Sequence, residues 1–177
     1  VPEGHWAEKA INTVAGLGIV KGVGENRYDM VTPMTRGSLA TVLYRLSDGR
    51  ASTETVFTDV ERNEWYAEGI SWAARNGVVT GVSENTFKPK DIISREQLAV
   101  MLCRYAKILG MDTESPTKVL ERFGDGDAIG VWAIDGVAWC VEKGILQGKG
   151  GDILDPKADV SRAEVAVMLQ RFVELMR

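Results

Sequence analysis

A chain of 177 residues with 45% hydrophobic and 26% charged residues is typical of a soluble globular protein rather than a disordered one. Its formal net charge of −4 argues against non-specific binding to nucleic acid, which needs a basic surplus. One histidine and two cysteines are too few for a zinc site, and no stretch approaches the ~18 apolar residues of a membrane span, so we expect no metal, no cofactor and no membrane span.

The chain contains three copies of one unit, which align on a tryptophan. Trp6, Trp65 and Trp132 are each followed by a glycine after 12 residues and by an arginine after 30 residues (36 − 6, 95 − 65, 162 − 132). Matching spacing at this many positions indicates an internal repeat. We place copy one at residues 1–50, copy two at 51–115 and copy three at 116–177. Because the chain starts inside copy one, we interpret it as a segment of something longer.

Each copy is predicted to form a helix, a loop and a second helix. In copy one, an apolar stripe at helical spacing starts at Trp6 and predicts a first helix that ends at Gly18, where glycine readily adopts the left-handed conformation. The pattern recurs up to Gly77 and Gly144. The loops that follow, at residues 22–26, 81–85 and 148–152, have the glycine, asparagine and aspartate content of tight turns.

The second helix of each copy is the more apolar. One helical hairpin cannot bury such a face alone, so we expect the three second helices to pack on one another as a shared core. Three copies allow either a closed pseudo-threefold arrangement or a short stack. Residues 47–56 and 110–122 are predicted to be polar linkers, and the second is the longer.

A hydroxyl residue followed by an arginine begins each second helix. The three triplets are Thr35-Arg36-Gly37, Ser94-Arg95-Glu96 and Ser161-Arg162-Ala163. The hydroxyl suits a helix N-cap, and Gln97 and Glu164 complete capping boxes in copies two and three. Copy one has Ser38 at that position, so it lacks the reciprocal partner.

The arginine in each triplet is unusual, since the helix macrodipole disfavours a cation in the first turn. One interpretation is an anion site, because the planar guanidinium binds carboxylate bidentately and a helix N-terminus offers N–H groups to an anion. The other is an ion pair with a nearby acid such as Asp29, Asp91 or Asp159.

The repeated motifs resemble the S-layer homology (SLH) module over essentially the whole chain. They are Phe-x-Asp, a helix-opening Trp, Gly-Ile-Val-x-Gly, Phe-x-Pro and Thr/Ser-Arg-x-Glu. The resemblance implies an all-α fold in which three helix-loop-helix repeats form a pseudo-threefold spindle with a central helical bundle. It also implies a non-catalytic, extracellular module that anchors a larger protein to the cell wall or S-layer of a Gram-positive bacterium.

The resemblance further implies the ligand and its contacts. The ligand is a secondary cell-wall polysaccharide, typically with pyruvylated N-acetylmannosamine, held in grooves between repeats, and the motif arginine meets the pyruvate carboxylate. The candidate residues are the arginines Arg36, Arg95 and Arg162, the groove-wall tryptophans Trp6, Trp65 and Trp132, the close-approach glycines Gly22, Gly81 and Gly148, and the motif acids Asp59 and Asp125. Copy one has Met30 in place of the proline and copy three has an altered loop, so we expect three unequal grooves.

Several alternatives remain open at this point. A tryptophan at a helix start is also typical of a protein core, and Cys103 and Cys140 are either buried thiols or a disulfide. A protein–protein interaction scaffold is the alternative function, and it predicts binding that survives glycan removal. A glycan hydrolase would need two carboxylates across a cleft, whereas Asp59 and Asp125 are regular features of the repeat.

Overall fold

The computed structural model describes residues 1–24, 27–47, 49 and 54–177. The α-helices are α1 (Glu8–Gly16), α2 (Arg36–Leu46), α3 (Ala67–Arg75), α4 (Arg95–Ile108), α5 (Ile134–Glu142) and α6 (Arg162–Leu175). Short 3-10 helices cover Thr117–Leu120, Gly126–Ala128 and Val131–Ala133. The described residues pair only in isolated β-bridges, so this part of the chain is all-α, as predicted. None of its helices combines the length and the apolar character needed to cross a bilayer.

The helix-loop-helix prediction is confirmed in each copy, with one shift in the boundaries. The repeat tryptophan precedes the first helix instead of opening it, since α1 begins at Glu8 and α3 at Ala67, while Trp132 lies in a 3-10 turn before α5. The glycines that end these helices have φ of 70°, 70° and 69° at positions 18, 77 and 144. Predicted loop residues 25 and 26, and linker residues 48 and 50–53, lie outside the described residues.

The extensive helix–helix contacts join different copies. Each second helix packs on the first helix of the next copy, α2 on α3 and α4 on α5, and α6 of copy three returns to α1 of copy one. We expected the second helices to pack mainly on one another. Such a contact is made between α4 and α6 by the rings of Tyr105 and Phe172, whose centroids are 5.7 Å apart.

Glycines in α3 and α5 explain why these two first helices pack closely on the preceding second helices. A Cβ atom on Gly69 of α3 would lie 2.6 Å from Cα of Thr41 in α2. A Cβ atom on Gly136 of α5 would lie 2.9 Å from Cα of Val100 in α4. Both glycines stand four residues after the repeat tryptophan, so the close approach of the helices falls about one turn after it.

Gly69→Val is expected to lower the free energy of unfolding by about 2–3 kcal/mol, because the branched side chain must push α3 away from α2. Urea unfolding followed by far-UV circular dichroism measures the change. Gly16→Val is the matched control, since a Cβ atom at Gly16 meets no atom within 4 Å. Equal destabilisation by the two substitutions would show that the close helix approach contributes nothing.

Three backbone hydrogen bonds form a ring that links the copies just before their second helices. The N–H of Met34 donates to the carbonyl of Val160 (2.8 Å), that of Val160 to Ile93 (3.1 Å) and that of Ile93 to Met34 (2.9 Å). All three residues are buried, so these polar groups are satisfied by one another rather than by water. Each copy thus donates to one neighbour and accepts from the other.

Candidate functional site

The N-caps of the three second helices form as predicted. In every copy the hydroxyl of the N-cap residue accepts a hydrogen bond from the backbone N–H of the residue three positions later. Gln97 and Glu164 reach back to the N-cap N–H and complete the capping boxes. In copy one the Ser38 hydroxyl instead lies 2.8 Å from the hydroxyl of Thr35, so the first turn of α2 lacks the reciprocal bond.

The motif arginine of each copy reaches into the next copy and binds backbone carbonyls there. Arg36 donates from Nε to Phe87 (2.8 Å) and from Nη2 to Thr80 (3.1 Å), and its guanidinium stacks on the Phe87 ring with its carbon 4.5 Å from the ring centre. The other two arginines use the same atoms. Their acceptors are Leu154 and Gln147 for Arg95, and Asp29 and Lys21 for Arg162.

The alternative interpretation, an ion pair with Asp29, Asp91 or Asp159, is wrong, because backbone carbonyls occupy the arginine donors. Within the described residues, Arg36 and Arg162 form no ion pair, whereas Nη1 of Arg95 lies 3.5 Å from a carboxylate oxygen of Glu164. Arg36 and Arg95 are only 8% and 4% exposed. Burial lowers the pKa of Arg36, while the nearby charges of Asp91 and Asp59 oppose that shift.

The backbone N–H groups of the first helical turn are not free to bind an anion, contrary to our expectation. The N–H groups of Arg36 and Gly37 donate to the carbonyls of Asp91 and Pro89, both at 2.9 Å. The corresponding pairs are Arg95 with Ala158, Glu96 with Pro156, Arg162 with Thr32 and Ala163 with Met30. The next copy therefore satisfies these donors. Two features remain available to an anion. One is the guanidinium tip, which consists of Nη1 and the second hydrogen of Nη2, and the other is the helix dipole.

One groove lies beside Arg36 and draws residues from all three copies. This Arg36 groove, of about 360 Å³, is lined by Arg36 of copy one, Gly81 and part of α4 of copy two, and Trp132 of copy three. The turn that carries Trp132 is held by the buried carboxylate of Glu96, which accepts the Gly130 N–H at 2.9 Å. The sequence prediction did not single out Glu96, because only the folded chain brings it to that turn.

A second groove lies beside Arg95 and has the corresponding composition. This Arg95 groove, of about 690 Å³, is lined by Arg95, by Gly148 and α6 of copy three, and by Trp6 of copy one. It also contains Lys149 where the Arg36 groove has Val82 and Glu164 where the Arg36 groove has Gln97, so its additional cation is balanced by an additional acid. The third predicted groove, beside Arg162, adjoins loop residues 25 and 26, which lie outside the described residues.

The three repeat tryptophans are exposed, so the core interpretation is wrong. Trp6, Trp65 and Trp132 are 64%, 61% and 56% exposed. Their position ahead of the first helix turns the rings away from the apolar stripe, which buries Ala10 and Val14 instead. Trp6 and Trp132 present aromatic surface to the two grooves, whereas Trp65 stands with its ring centre 5.1 Å from that of Tyr66.

The glycine that begins each loop is required by the loop itself. A Cβ atom on Gly81 would lie 2.2 Å from the carbonyl oxygen of Ser83, and one on Gly148 would lie 2.8 Å from that of Ile153. On Gly22 a Cβ atom would lie 2.7 Å from a loop carbonyl. Gly81 and Gly148 do line the grooves, but their missing side chains leave room for backbone rather than for a sugar.

The motif acids hold the next turn of their own copy. The Asp125 carboxylate accepts the N–H groups of Leu154 (2.8 Å) and Asp155 (2.7 Å), and Asp59 binds the equivalent pair in copy two. Asp155 has a left-handed φ of 55°, a conformation that needs such support in a residue other than glycine. Neither acid lines the Arg36 or the Arg95 groove.

Asp125→Asn is expected to cost about 1–2 kcal/mol of unfolding free energy near neutral pH, since an amide oxygen replaces a charged acceptor. Burial opposes ionisation of Asp125, but the hydrogen bonds from Leu154 and Asp155 prevail and lower its pKa. A carboxylate with a lowered folded-state pKa stabilises the fold above its unfolded-state pKa, and that contribution is lost as the pH falls through the folded value.

Urea midpoints of the wild type and of Asp125→Asn should therefore converge as the pH falls below about 4. Asp127→Asn is the control, because Asp127 is an exposed acid in the same turn, and it should change stability by less than about 0.5 kcal/mol near neutral pH. A pH-independent difference for Asp125→Asn would contradict the assigned role of the carboxylate.

Comparison with known families decides the identity of the repeat. A profile of the S-layer homology domain matches residues 1–40, 56–99 and 122–166. The chain belongs to the S-layer homology domain family. Each matched segment spans a first helix, its loop and the start of a second helix, and therefore includes the repeat tryptophan and the motif arginine of its copy.

Relatives of the SLH chain are much longer proteins. The amylopullulanase of Thermoanaerobacterium thermosulfurigenes is 29% identical over 171 residues, which are 96% of this chain but 9% of that protein. The surface-layer 125 kDa protein of Lysinibacillus sphaericus is 24% identical over 172 residues, 96% of this chain and 14% of that protein. S-layer protein EA1 of Bacillus anthracis is 27% identical over 168 residues, 94% of this chain and 19% of that protein.

The family and its S-layer relatives indicate cell-wall anchoring at the surface of Gram-positive bacteria, in the cell wall or S-layer. The chain spans less than a fifth of the length of each of these three relatives. Enzyme names among the relatives describe those whole proteins, whereas the matched part is the SLH region, an anchoring module. Among the described residues, no group of acids, cysteines or histidine is arranged to hold a metal ion.

The sequence prediction missed a second arginine in each SLH copy. Arg45, Arg104 and Arg171 each follow the motif arginine by nine residues (45 − 36, 104 − 95, 171 − 162). Arg104 lines the Arg36 groove and Arg171 lines the Arg95 groove. Their identical spacing was visible in the sequence, but a charged residue on an otherwise apolar helix is commonly just solvated surface.

Both cysteines are free thiols, which answers the open question for this structure. Cys140 is buried in α5 and Cys103 is half-buried in α4. Burial raises the pKa of both thiols, as expected for small residues packed in an apolar setting.

Proposed function

We propose that the chain anchors a larger exported protein by binding an anionic, pyruvylated secondary cell-wall polysaccharide, typically with pyruvylated N-acetylmannosamine, in grooves between SLH repeats. The observation that carries this proposal is the composition of the Arg36 and Arg95 grooves. Each combines the tip of a buried arginine with an exposed tryptophan and lies between copies.

The arginine supports an anionic ligand. In Arg36, Nε and Nη2 are held by carbonyls, so the side chain is fixed before a ligand arrives. A buried guanidinium without a carboxylate partner gains most from an incoming anion, since charge-assisted hydrogen bonds are stronger away from water. Arg95 already faces Glu164, so we expect the Arg95 groove to bind the carboxylate less tightly.

The tryptophans support a carbohydrate ligand. An exposed indole offers a flat apolar face and costs little conformational entropy to fix, which suits the apolar face of a sugar ring. We propose that Trp132 and Trp6 stack on the sugar in their respective grooves. Asp59 and Asp125 are left out of the proposed contact set, because their carboxylates bind backbone N–H groups of the loop.

We further propose that the three copies, with boundaries near residues 50 and 115, close as one pseudo-threefold spindle around a central bundle. The ring of hydrogen bonds through Met34, Ile93 and Val160 supports closure over a short stack, because a stack leaves its terminal copies unpaired. The return contact of α6 on α1 supports it as well. Closure would fix the shape of both grooves, since residues from all three copies line each of them.

Co-sedimentation with purified cell-wall sacculi tests the proposed function. The chain should pellet with sacculi that retain the secondary polymer and stay in solution when the polymer has been extracted by acid. Isolated polymer should compete for binding, and polymer without its pyruvate ketal should compete poorly. Binding that persists after polymer extraction would favour the protein–protein scaffold, and release of sugar fragments would favour a hydrolase.

A further inference from the structure

A second cavity adjoins the Arg36 groove on the other side of Trp132. It has a volume of about 460 Å³ and lies between α4, the linker at residues 110–122 and the start of α5. Val100, Arg104 and Trp132 line both this cavity and the Arg36 groove. The two spaces therefore meet along a shared edge. We call the second space the linker cavity.

Residues 113–115 form the outer wall of the linker cavity, and hydrogen bonds attach this segment to α5. The carbonyl of Asp112 accepts the indole N–H of the buried Trp139 at 3.0 Å. The Ser115 hydroxyl donates to the Glu142 carboxylate. These two bonds hold both ends of the short wall, so the cavity is formed before any ligand binds. The longer of the two linkers thus has a defined place in the structure.

The two spaces differ in charge. The charged residues that line the Arg36 groove are Arg36 and Arg104, both cations. The linker cavity has two cations, Arg104 and Lys107, and two acids, Glu114 and Asp135, together with the hydroxyls of Thr113 and Ser115. Balanced donors and acceptors without surplus charge suit a neutral polyhydroxyl ring, whereas the cationic groove suits an anion.

Arg104 lies where the Arg36 groove and the linker cavity meet. Within the described residues it forms no hydrogen bond and no ion pair, although it is half-buried. Arg171, its counterpart in the Arg95 groove, donates instead to Ile145 (3.2 Å) and Gln147 (3.0 Å). The free donors of Arg104 are thus available to a ligand that crosses from the groove into the linker cavity.

We infer that the Arg36 groove and the linker cavity form one extended site for two consecutive sugars of a glycan. The anionic sugar occupies the groove, the neutral sugar attached to it occupies the linker cavity, and Arg104 and Trp132 contact both. This inference rests on the proposed function. It predicts that the Arg36 groove, unlike the Arg95 groove, has a higher affinity for a longer glycan than for a single sugar.

Calorimetric titrations with two probes test the inference. One probe is the pyruvylated monosaccharide, and the other is the disaccharide that adds its neutral neighbour. The wild-type chain should bind the disaccharide about tenfold more tightly, the gain expected from one or two additional hydrogen bonds. Asp135→Asn and Lys107→Gln should each reduce that gain to about twofold and leave the monosaccharide affinity unchanged.

Glu68→Gln is the matched control, because Glu68 occupies the position of Asp135 in the preceding copy, three residues after the tryptophan. It should leave both affinities unchanged. Equal affinity of the wild type for the two probes, or equal loss of both affinities in the Asp135 and Lys107 variants, overturns the extended site alone. Failure of the disaccharide alone to bind also overturns only the extended site, whereas failure of both probes to bind the wild type overturns the proposed function as well.

Discussion

Arg95→Ala is expected to lower the free energy of unfolding by about 3–5 kcal/mol, the largest effect we predict for a single polar side chain. Arg95 is 4% exposed, and its guanidinium donates to carbonyls of copy three, at 2.9 Å to Leu154 and at 2.6 Å to Gln147. Alanine leaves both buried carbonyls without a donor. It also leaves a cavity between copies two and three and removes the ion-pair partner of Glu164.

Urea unfolding measures this loss, with Arg62→Ala as the control because Arg62 is an exposed arginine of the same copy. The control should change stability by less than about 0.5 kcal/mol. Arg95→Lys should recover only a small part of the loss, since an ammonium cannot reproduce the fixed fork of the guanidinium. Wild-type stability of Arg95→Ala would show that the arginine serves the ligand alone.

Trp132→Ala is expected to weaken binding to the cell-wall polymer about tenfold while leaving the stability within about 0.5 kcal/mol of the wild type. The ring is 56% exposed, so its removal takes little from the core, but it removes the aromatic wall of the Arg36 groove. Combining it with Trp6→Ala removes the wall of the Arg95 groove too, and should bring the loss to about a hundredfold.

Polymer titration by surface plasmon resonance, paired with thermal unfolding of each variant, measures these effects. Val131→Ala is the control, because Val131 neighbours Trp132 and is 88% exposed but lines neither groove. Unchanged affinity in the double tryptophan variant would remove the aromatic residues from the site. The tryptophans therefore separate ligand binding from folding, which the arginines cannot do.

Local chemistry in the sequence was enough to predict the ends of the helices. Glycine at positions 18, 77 and 144 adopts the left-handed conformation, and the hydroxyls at 35, 94 and 161 cap the second helices. The glycine conformation and the hydroxyl cap each depend only on residues within about one turn of the chain. The all-α class follows from the same local periodicity.

The partners of these elements could not be predicted in the same way. Periodicity shows that α2 has an apolar face but not that α3 of the next copy covers it, and the close approach at Gly69 appears only when both helices are placed. From sequence alone, an acidic side chain is the obvious partner for a motif arginine. The backbone carbonyls that accept its hydrogen bonds cannot be selected, because every residue has one. Phe87 and Thr80 become the acceptors for Arg36 only through packing of copy one on copy two.

The candidate site was predicted in part. Arg36, Gly81 and Trp132 were selected one from each copy, and the fold brings them to a single groove. Trp132 could not be assigned to surface or core from its spacing, since a ring at a helix start fits both. Asp59 was selected as a motif acid, yet its role in holding the turn at Lys88 depends on a loop 29 residues away.

Calorimetric titration of the wild-type chain with pyruvylated N-acetylmannosamine and with the same sugar lacking the ketal tests the central claim most directly. We predict saturable binding of the pyruvylated sugar, and binding of the other sugar weaker by about a hundredfold or more, because the guanidinium tip then has no carboxylate to meet. Equal affinity for the two sugars, or no binding of either, would contradict the assignment of the arginine grooves to an anionic glycan.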